Sequence, residues 1–218
     1  MARMEIVGGI GAGKTTLARV LAEAWGSQVV HESVLDVPFF SKFYAAPQVY
    51  GFEKNISFLL SHADLIRDAE GGNEGLIVCD FALFQDLSYT DIGCSPADAD
   101  AVEAVYRRLV DRVGHPALVV HLRCTPDTQL RRIVSRGRSQ ETGIARAYLV
   151  DLCAAIDRRL EQLRSDAPGL TVIEVDTDEV DYATNPAAAD AVARELIGSL
   201  GAKAQMLRGR AGAAGNQA

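Results

Sequence analysis

Apolar residues along this chain form two kinds of pattern, short continuous runs and longer stretches with a helical period. Continuous runs predict buried strands, and the period predicts helices with one face toward a core. The runs predict strands over residues 4–7, 28–32, 76–80, 118–122 and 170–175. The periodic stretches predict helices over 15–22, 52–69, 96–113, 145–163 and 186 to about 200, with another after Thr125. This alternation predicts an α/β fold with a parallel sheet and helices on both faces.

Three helix starts are marked by the same local device, a capping side chain followed by proline. Ser95-Pro96, Thr125-Pro126 and Asn185-Pro186 each place an oxygen-bearing side chain before a proline. Such a side chain accepts a hydrogen bond from the first helical turn, and proline at the first helical position loses no hydrogen bond. These dipeptides therefore predict where three of the helices begin.

Length and composition describe an ordinary globular chain with an acidic balance. Its 218 residues suffice for one substantial domain, which we expect over residues 1–200. Residues 201–218 are rich in Gly and Ala with little apolar pattern, so we expect a disordered tail. The net charge of −7 argues against nucleic acid or an anionic membrane as the main partner, since both require a basic surface.

The cysteines and the apolar runs predict a cellular location. Cys79, Cys94, Cys124 and Cys153 lie far apart and form no CxxC pair, so they predict neither a zinc site nor a disulfide framework. We identify no cationic leader with an apolar core and no run long enough for a membrane span. We therefore expect a reduced, cytoplasmic compartment.

One glycine-rich segment after the first predicted strand has the spacing of a phosphate-binding loop. Glycines allow backbone N–H groups to approach phosphate oxygens, the lysine supplies a charge for the β and γ phosphates, and a threonine hydroxyl suits Mg²⁺. The predicted strand before it and helix after it supply the structural context that such a loop requires. The segment that we expect to bind the nucleotide comprises Gly8, Gly9, Ile10, Gly11, Ala12, Gly13, Lys14, Thr15 and Thr16.

Two acidic residues close predicted strands and so point to the ligand-binding edge of the sheet. Glu32 ends the second strand and Asp80 ends the third. Ligands of open parallel sheets bind at the carboxyl ends of the strands. Glu32 is therefore a candidate general base, although a solvated loop position would also explain it. Asp80, together with Thr15, is a candidate for holding Mg²⁺.

The densest basic cluster follows the helix that starts after Thr125. Arg131 and Arg132 alone could form a solvated helix face, but Arg136 and Arg138 flank Gly137. Two guanidinium groups around a glycine suit a lid that closes on a phosphoryl group. We expect this lid over residues about 136–143, with Arg131 also contacting the nucleotide.

Aromatic residues after Glu32 suggest a pocket for a small planar substrate. The candidates for its lining are Phe39, Phe40, Tyr44, Phe58 and Phe84. For each of them singly, ordinary core packing is an equally good explanation. The Asn-Lys-x-Asp sequence by which switch GTPases recognise guanine is absent. The residues therefore favour a P-loop phosphotransferase over a GTPase.

These segments, in this order, resemble the deoxyribonucleoside kinase family, including the bacterial deoxyadenosine and deoxyguanosine kinases. The resemblance runs from about Met4 to Tyr182. It implies a P-loop kinase fold with a five-stranded parallel sheet and an arginine-rich lid, often in a homodimer. ATP and Mg²⁺ are the implied cofactors.

The resemblance also implies roles for individual residues. Glu32 would act as base on the substrate 5′-hydroxyl, and Tyr44 would contact the sugar 3′-hydroxyl together with Glu141 of the lid. The helix over 52–64 would carry the amide that reads the base, here Asn55. Arg136 and Arg138 would bind the phosphates and assist catalysis together with Lys14.

Two positions depart from the family pattern. Asn55 stands where the family usually has glutamine, which is one methylene longer. Asp80 is followed by Phe81-Ala82, where the family has arginine and serine. A cation beside the 5′-oxygen is thereby lost, and Lys54, Lys42 or His62 could replace it. Loss of such a cation costs several kcal/mol of charge stabilisation in a desolvated site, on the order of one oxyanion-hole contact.

The leading hypothesis is therefore an ATP-dependent kinase that phosphorylates the 5′-hydroxyl of a deoxynucleoside, a nucleoside or a close analogue. Two rivals stay open. One is a kinase of another small molecule or of a nucleoside monophosphate. The other is a non-catalytic ATP-binding regulatory protein, which the loss of the family arginine at Phe81 would suit.

Overall fold

A computed structural model describes residues 2–32, 37–71, 75–138, 141, 143–178, 185, 187–188, 190–196 and 198. Within them, five parallel strands form one sheet in the order β2-β3-β1-β4-β5. The strands are β1 (Ala2–Gly8), β2 (Gln28–Val30), β3 (Leu76–Cys79), β4 (Leu118–Arg123) and β5 (Thr171–Asp176). The predicted sheet is confirmed, and β1 lies at its centre, where every one of its residues is buried.

Helices connect successive strands. They are α1 (Lys14–Trp25), α2 (Phe40–Ala45), α3 (Pro47–Gly71), α4 (Gln85–Gly93), α5 (Pro96–Val113), α6 (Pro126–Arg136) and α7 (Arg146–Asp166). Residues 187, 188, 190–196 and 198 are also helical, in the segment predicted after Asn185. Nothing in the described chain tests the predicted domain limits, and the predicted tail lies outside the described residues.

Capping chemistry explains why these helices begin where the sequence predicts. The Ser95 hydroxyl accepts from the Asp98 N–H at 3.2 Å, and the Thr125 hydroxyl accepts from the Thr128 N–H at 3.3 Å. Asn185 Oδ1 accepts from the Ala188 N–H at 3.1 Å. Each contact satisfies a backbone donor that has no partner within its own helix.

The core is divided by the sheet, because successive strand residues point to opposite faces. Met4 and Ile6 of β1 pack with Leu17 and Leu21 of α1 on one face. Val7 points to the other face, where it packs with Leu152 of α7. Helices therefore cover both faces, as predicted.

Two helices have no counterpart in the hydrophobic pattern. Helix α2 is only six residues long, and α4 buries four polar side chains, which interrupt any apolar stripe. Those four are Gln85, Asp86, Ser88 and Thr90. Helix α3 also begins five residues earlier than the pattern predicts. Both α4 and the start of α3 lie close to the site described below.

Candidate active site

The glycine-rich loop joins the carboxyl end of β1 to the amino end of α1. Gly11 and Gly13 have φ angles of 80° and 98°, a left-handed region that side chains with a Cβ seldom adopt. Gly9 is confined by packing, because a Cβ there would lie 2.5 Å from Oε1 of Gln129. The loop therefore requires glycine at these positions for conformational and steric reasons.

The Lys14 ammonium lies along this loop. Its Nζ donates to the carbonyl oxygens of Gly8 at 2.8 Å and Gly9 at 3.2 Å. Burial lowers the pKa of Lys14, an effect that the Glu32 and Asp80 carboxylates oppose. The lysine is thus within electrostatic range of both acidic strand ends.

The end of β1 is held in place by a side chain of α4. The Gly8 N–H donates to Oε1 of Gln85 at 3.1 Å, and Nε2 of Gln85 donates to the Gly8 carbonyl at 3.2 Å. The same Nε2 donates to the Tyr89 hydroxyl at 3.4 Å. Gln85 thereby satisfies both backbone groups of the residue at which the phosphate loop begins.

Glu32 and Asp80 lie together at the carboxyl ends of β2 and β3. The Glu32 N–H donates to Oδ1 of Asp80 at 2.9 Å, and Nδ1 of His31 lies 3.0 Å from Oδ2. Asp80 is almost completely buried, whereas the Glu32 side chain is 30% exposed. Asp80 therefore fixes the backbone that presents Glu32, and the Glu32 carboxylate can reach a ligand.

His62 of α3 connects two carboxylates. Its Nε2 lies 3.2 Å from Oε1 of Glu32, and its Nδ1 lies 2.8 Å from Oδ2 of Asp86 on α4. Burial alone would lower the pKa of His62, but Asp86 and Glu32 raise it to about 10. At neutral pH His62 is therefore a cation in contact with Glu32.

The charge of His62 has a consequence for Glu32. Burial acts to raise the pKa of Glu32, yet the hydrogen bond and charge of His62 outweigh it, with help from Lys14 and Lys54. The pKa of Glu32 therefore lies below its usual range. The carboxylate stays ionised, which is the state that a general base requires.

Aromatic rings form a row beside this group. The ring centroids of Phe40 and Phe58 lie 5.8 Å apart, and those of Phe58 and His62 lie 5.7 Å apart. Phe81 stacks on His62 at 4.1 Å with an interplanar angle of 10°. The structure therefore brings the predicted residues Phe40 and Phe58 to the site, and Phe81 supports the histidine.

Three other predicted residues, Phe84, Asn55 and Phe39, make contacts with residues other than Glu32 and His62. Phe84 is 3% exposed and packs with Val7 and Leu152 in the core, so the structure does not bring it to Glu32. Asn55 is buried and donates to Sγ of Cys94 at 3.3 Å. Phe39 is exposed and stacks on Tyr50. The Tyr44 side chain lies outside the described residues.

The predicted lid begins where α6 ends at Gly137, which has a φ of 64°. Arg136 and Arg138 both form ion pairs with Glu141. Arg136 also acts to lower the pKa of Lys14 and Glu141 to raise it, which places both within electrostatic range of the phosphate loop. Residues 139, 140 and 142 of the lid lie outside the described residues.

The two earlier arginines of this cluster have different surroundings. Arg131 is exposed and donates to the Thr128 hydroxyl at 2.8 Å. Arg132 contacts the Gly11 carbonyl at 3.4 Å and donates to the Thr177 carbonyl. Arg132 therefore braces the phosphate loop against the segment that follows β5, a structural role that the spacing of arginines did not predict.

The oxygen donors near the loop fit Mg²⁺. Thr15 is exposed in the first turn of α1, and Asp80 closes β3. Among the described residues, no group of three or more His, Cys, Asp or Glu side chains could hold a metal by itself. That fits Mg²⁺, which is usually bound through one or two protein oxygens together with substrate phosphates.

Several residues in this site were missed at the sequence level. Gln85, Asp86 and Tyr89 all belong to α4, which the apolar pattern did not predict. The available signal was a set of polar residues shortly after a strand that ends in a carboxylate.

None of the described helices has the length and hydropathy of a membrane span.

A phosphate loop, an acidic pair at adjacent strand ends and an arginine cluster after α6, on a parallel sheet, are typical of a P-loop phosphotransferase. A model of the deoxynucleoside kinase family matches residues 4–199. The chain belongs to this family. The predicted family, fold and phosphotransferase class are therefore confirmed.

Named relatives and solved structures agree with this assignment. The chain is 30% identical over 198 residues to a deoxyguanosine kinase of Bacillus subtilis, covering 88% of this chain and 96% of the relative. It is 29% identical to a deoxyadenosine kinase of Lactobacillus acidophilus, covering 87% and 92%. A deoxyadenosine kinase from M. mycoides solved with bound dATP has a TM-score of 0.74 at 22% identity, covering 90% and 99%. That last similarity concerns the fold.

Proposed function

We propose that this protein transfers the γ-phosphoryl group of ATP to the 5′-hydroxyl of a purine deoxynucleoside, with Glu32 as general base. One observation carries the assignment of roles. The Lys14 ammonium donates to the Gly8 and Gly9 carbonyls and is within electrostatic range of Glu32, Asp80, Arg136 and Glu141, which supports one shared site for the phosphates and the acceptor. Family membership and the named purine nucleoside kinases supply the substrate class.

The transfer itself requires little covalent chemistry from the protein. The 5′-oxygen forms a bond to the γ-phosphorus while the bond from that phosphorus to the bridging oxygen of ADP breaks, and the hydroxyl proton passes to Glu32. Lys14 and the loop N–H groups hold the β and γ phosphates. Phosphoryl-transfer catalysis is mainly positioning and charge stabilisation, which these groups provide.

The lid would complete the site when the nucleotide is bound. Arg136 and Arg138 would leave Glu141 for the phosphate oxygens, with Arg131 close to the same group. Glu141 would then be available to the sugar 3′-hydroxyl, as would Tyr44. Thr15 and Asp80 would hold Mg²⁺, which neutralises phosphate charge when it is bound.

His62 would supply the positive charge that the family has as an arginine at the position of Phe81. A cation beside Glu32 is still present, but it comes from α3 and is supported by the Phe81 ring. Lys42 lies elsewhere, since its Nζ is 5.3 Å from the exposed Phe39 ring. This arrangement supports catalysis over a purely nucleotide-binding role. A homodimer and a cytoplasmic location stay predictions.

An ATP-consumption screen against the four common deoxynucleosides and the four ribonucleosides tests this function. We expect turnover with at least one purine deoxynucleoside. Glu32→Gln should lower kcat about 100-fold or more while ATP still binds, because only the proton acceptor is lost. Lys14→Ala should weaken ATP binding as well. A wild-type protein that binds ATP and phosphorylates none of the eight would refute the proposal.

A further inference from the structure

Lys54 of α3 is a buried cation to which the proposed mechanism gives only a secondary part, a contribution to the lowered pKa of Glu32. Its side chain is only 9% exposed. The Nζ atom lies 4.6 Å from the ring centroid of Phe43, 5.2 Å from that of Tyr89 and 5.6 Å from that of Phe58. The ammonium is thus enclosed by aromatic rings from α2, α3 and α4.

The surroundings of the Lys54 ammonium are mainly aromatic. The contacts of its Nζ in the described residues are with the faces of three rings. Ring faces attract a cation but are poor substitutes for the acceptors that three N–H groups require. His62 contacts both neighbouring carboxylates, those of Asp86 and Glu32.

Burial acts on the protonation of this ammonium. Burial lowers the pKa of Lys54 to about 8, while Asp86, Cys94 and Glu32 act in the opposite direction. The group therefore remains mainly protonated at neutral pH. Ring faces attract a cation but do not accept its hydrogen bonds as an oxygen does, so an oxygen acceptor supplied by a ligand would explain why a lysine is present.

The position of Lys54 shows which part of a ligand it would meet. Lys54, Phe58 and His62 are spaced four residues apart, so they share one face of α3. His62 on that face contacts Glu32, the proposed base for the sugar hydroxyl. Lys54 lies two turns away, at the aromatic end of the row. A nucleoside with its 5′-hydroxyl at Glu32 would extend its planar base toward the rings around Lys54.

We propose that Lys54 selects the substrate by donating a hydrogen bond to a carbonyl oxygen of the base, so that the enzyme prefers 6-oxopurine to 6-aminopurine deoxynucleosides. This inference rests on the proposed function. An ammonium has donors and no acceptor. It matches the oxygen at position 6 of hypoxanthine or guanine and opposes the amino group of adenine. Opposed donors in a buried site discriminate more strongly than a difference in shape.

Deoxyinosine and deoxyadenosine form the matched pair for the test, since they differ at position 6 of the ring and in the accompanying proton on N1. We expect the wild-type kcat/KM to favour deoxyinosine by roughly 10- to 100-fold, the effect of one donor–acceptor match in a buried site. In Lys54→Met, which keeps a long unbranched side chain, this ratio should collapse toward one. Lys42→Met removes a nearby exposed ammonium and should keep the wild-type ratio.

A second variant guards against a failure of Lys54→Met to fold. Lys54→Gln has both a donor and an acceptor, so its ratio should also approach one. A wild-type preference for deoxyadenosine, or none, overturns the inference while leaving the proposed function intact. A Lys54 variant that lowers kcat/KM equally for deoxyinosine and deoxyadenosine, and so keeps their ratio, also overturns the inference. Lys54 would then act on structure alone. No turnover of any nucleoside removes the proposed function and the inference together.

Discussion

Phe81 packs face to face on His62, with the ring centroids 4.1 Å apart. This contact fixes the plane of the imidazole so that each ring nitrogen points at a carboxylate, Glu32 on one side and Asp86 on the other. Under the proposed function, His62 would supply the cation that the family resemblance predicts at position 81. That cation would then come from a helix and not from the strand end.

A change at His62 should alter the pH dependence of the reaction. His62 lowers the pKa of Glu32 against the effect of burial. Without it, as in His62→Gln, the pKa of Glu32 rises and the base becomes protonated at a higher pH. We expect the acidic limb of the kcat/KM profile to move upward by about one pH unit or more. Rates measured from about pH 3.5 to about pH 8, a range that includes the usual pKa of a glutamate, would show it.

His115→Gln is the matched control for this prediction, because His115 is exposed in the segment between α5 and β4. Its profile should coincide with that of the wild type. A purely structural effect of His62→Gln would lower the rate by the same factor at every pH. An acidic limb at the wild-type position would therefore exclude His62 as the group that sets the ionisation of Glu32.

At the scale of elements, the phosphate loop depends on the packing of α6 beneath it. The Gln129 side chain is held in place, since its Nε2 donates to the Cys124 carbonyl at 2.8 Å and to Sγ of Cys153 at 3.1 Å. Its Oε1 occupies the space that a Cβ on Gly9 would need. The loop and α6 therefore form one packed unit.

Gly9→Ala should consequently displace the loop. Overpacking of this kind costs about 1–3 kcal/mol, so we expect ATP affinity to fall roughly ten- to a hundredfold. A binding titration with ATP and the KM for ATP would both measure this loss of affinity. Gly93→Ala is the control, because a Cβ at the end of α4 would meet nothing within 4 Å. Equal ATP affinity in the two variants would contradict the packing argument.

At the scale of the whole molecule, a buried ion pair joins the sheet to two helices. It lies near the amino end of β1, and the phosphate loop follows the carboxyl end of that strand. Arg3 donates to Glu5 at 2.8 Å, to Glu70 of α3 at 3.0 Å and to the carbonyls of Val113 and Gly114 at 2.9 and 2.8 Å. Arg3 and Glu5 are both almost fully buried. The second oxygen of Glu5 accepts from the N–H of Leu83.

Removing Arg3 should destabilise the whole protein. Arg3→Met leaves the Glu5 carboxylate buried without its cation, which costs about 3–5 kcal/mol. Urea denaturation would measure this free energy of unfolding. Arg67→Met breaks an exposed pair with Asp64 and should change the free energy of unfolding by no more than about 0.5 kcal/mol. Adding Glu5→Gln to Arg3→Met should restore part of the lost free energy of unfolding. No recovery would mean that packing, not the unpaired charge, is responsible.

Much of the fold could be predicted because the signals are local. The glycine spacing of the phosphate loop occupies eight consecutive residues, and each capping signal occupies two. Helix α4 could not be predicted from hydrophobic periodicity, because its polar residues Gln85 and Asp86 are buried against the site. Phe84 was expected in the pocket, but the short turn before α4 directs it into the core.

By itself, the sequence determined the succession of strands and helices along the chain, the phosphate loop, the acidic strand ends and the family. These depend on spacings of a few residues, which local backbone and capping chemistry specify. Only the tertiary structure decided which cation contacts Glu32 and what surrounds Lys54. His62 lies 30 residues from Glu32 and 24 from Asp86 along the chain. Contacts over such separations depend on which helix faces pack together, and no local spacing specifies that.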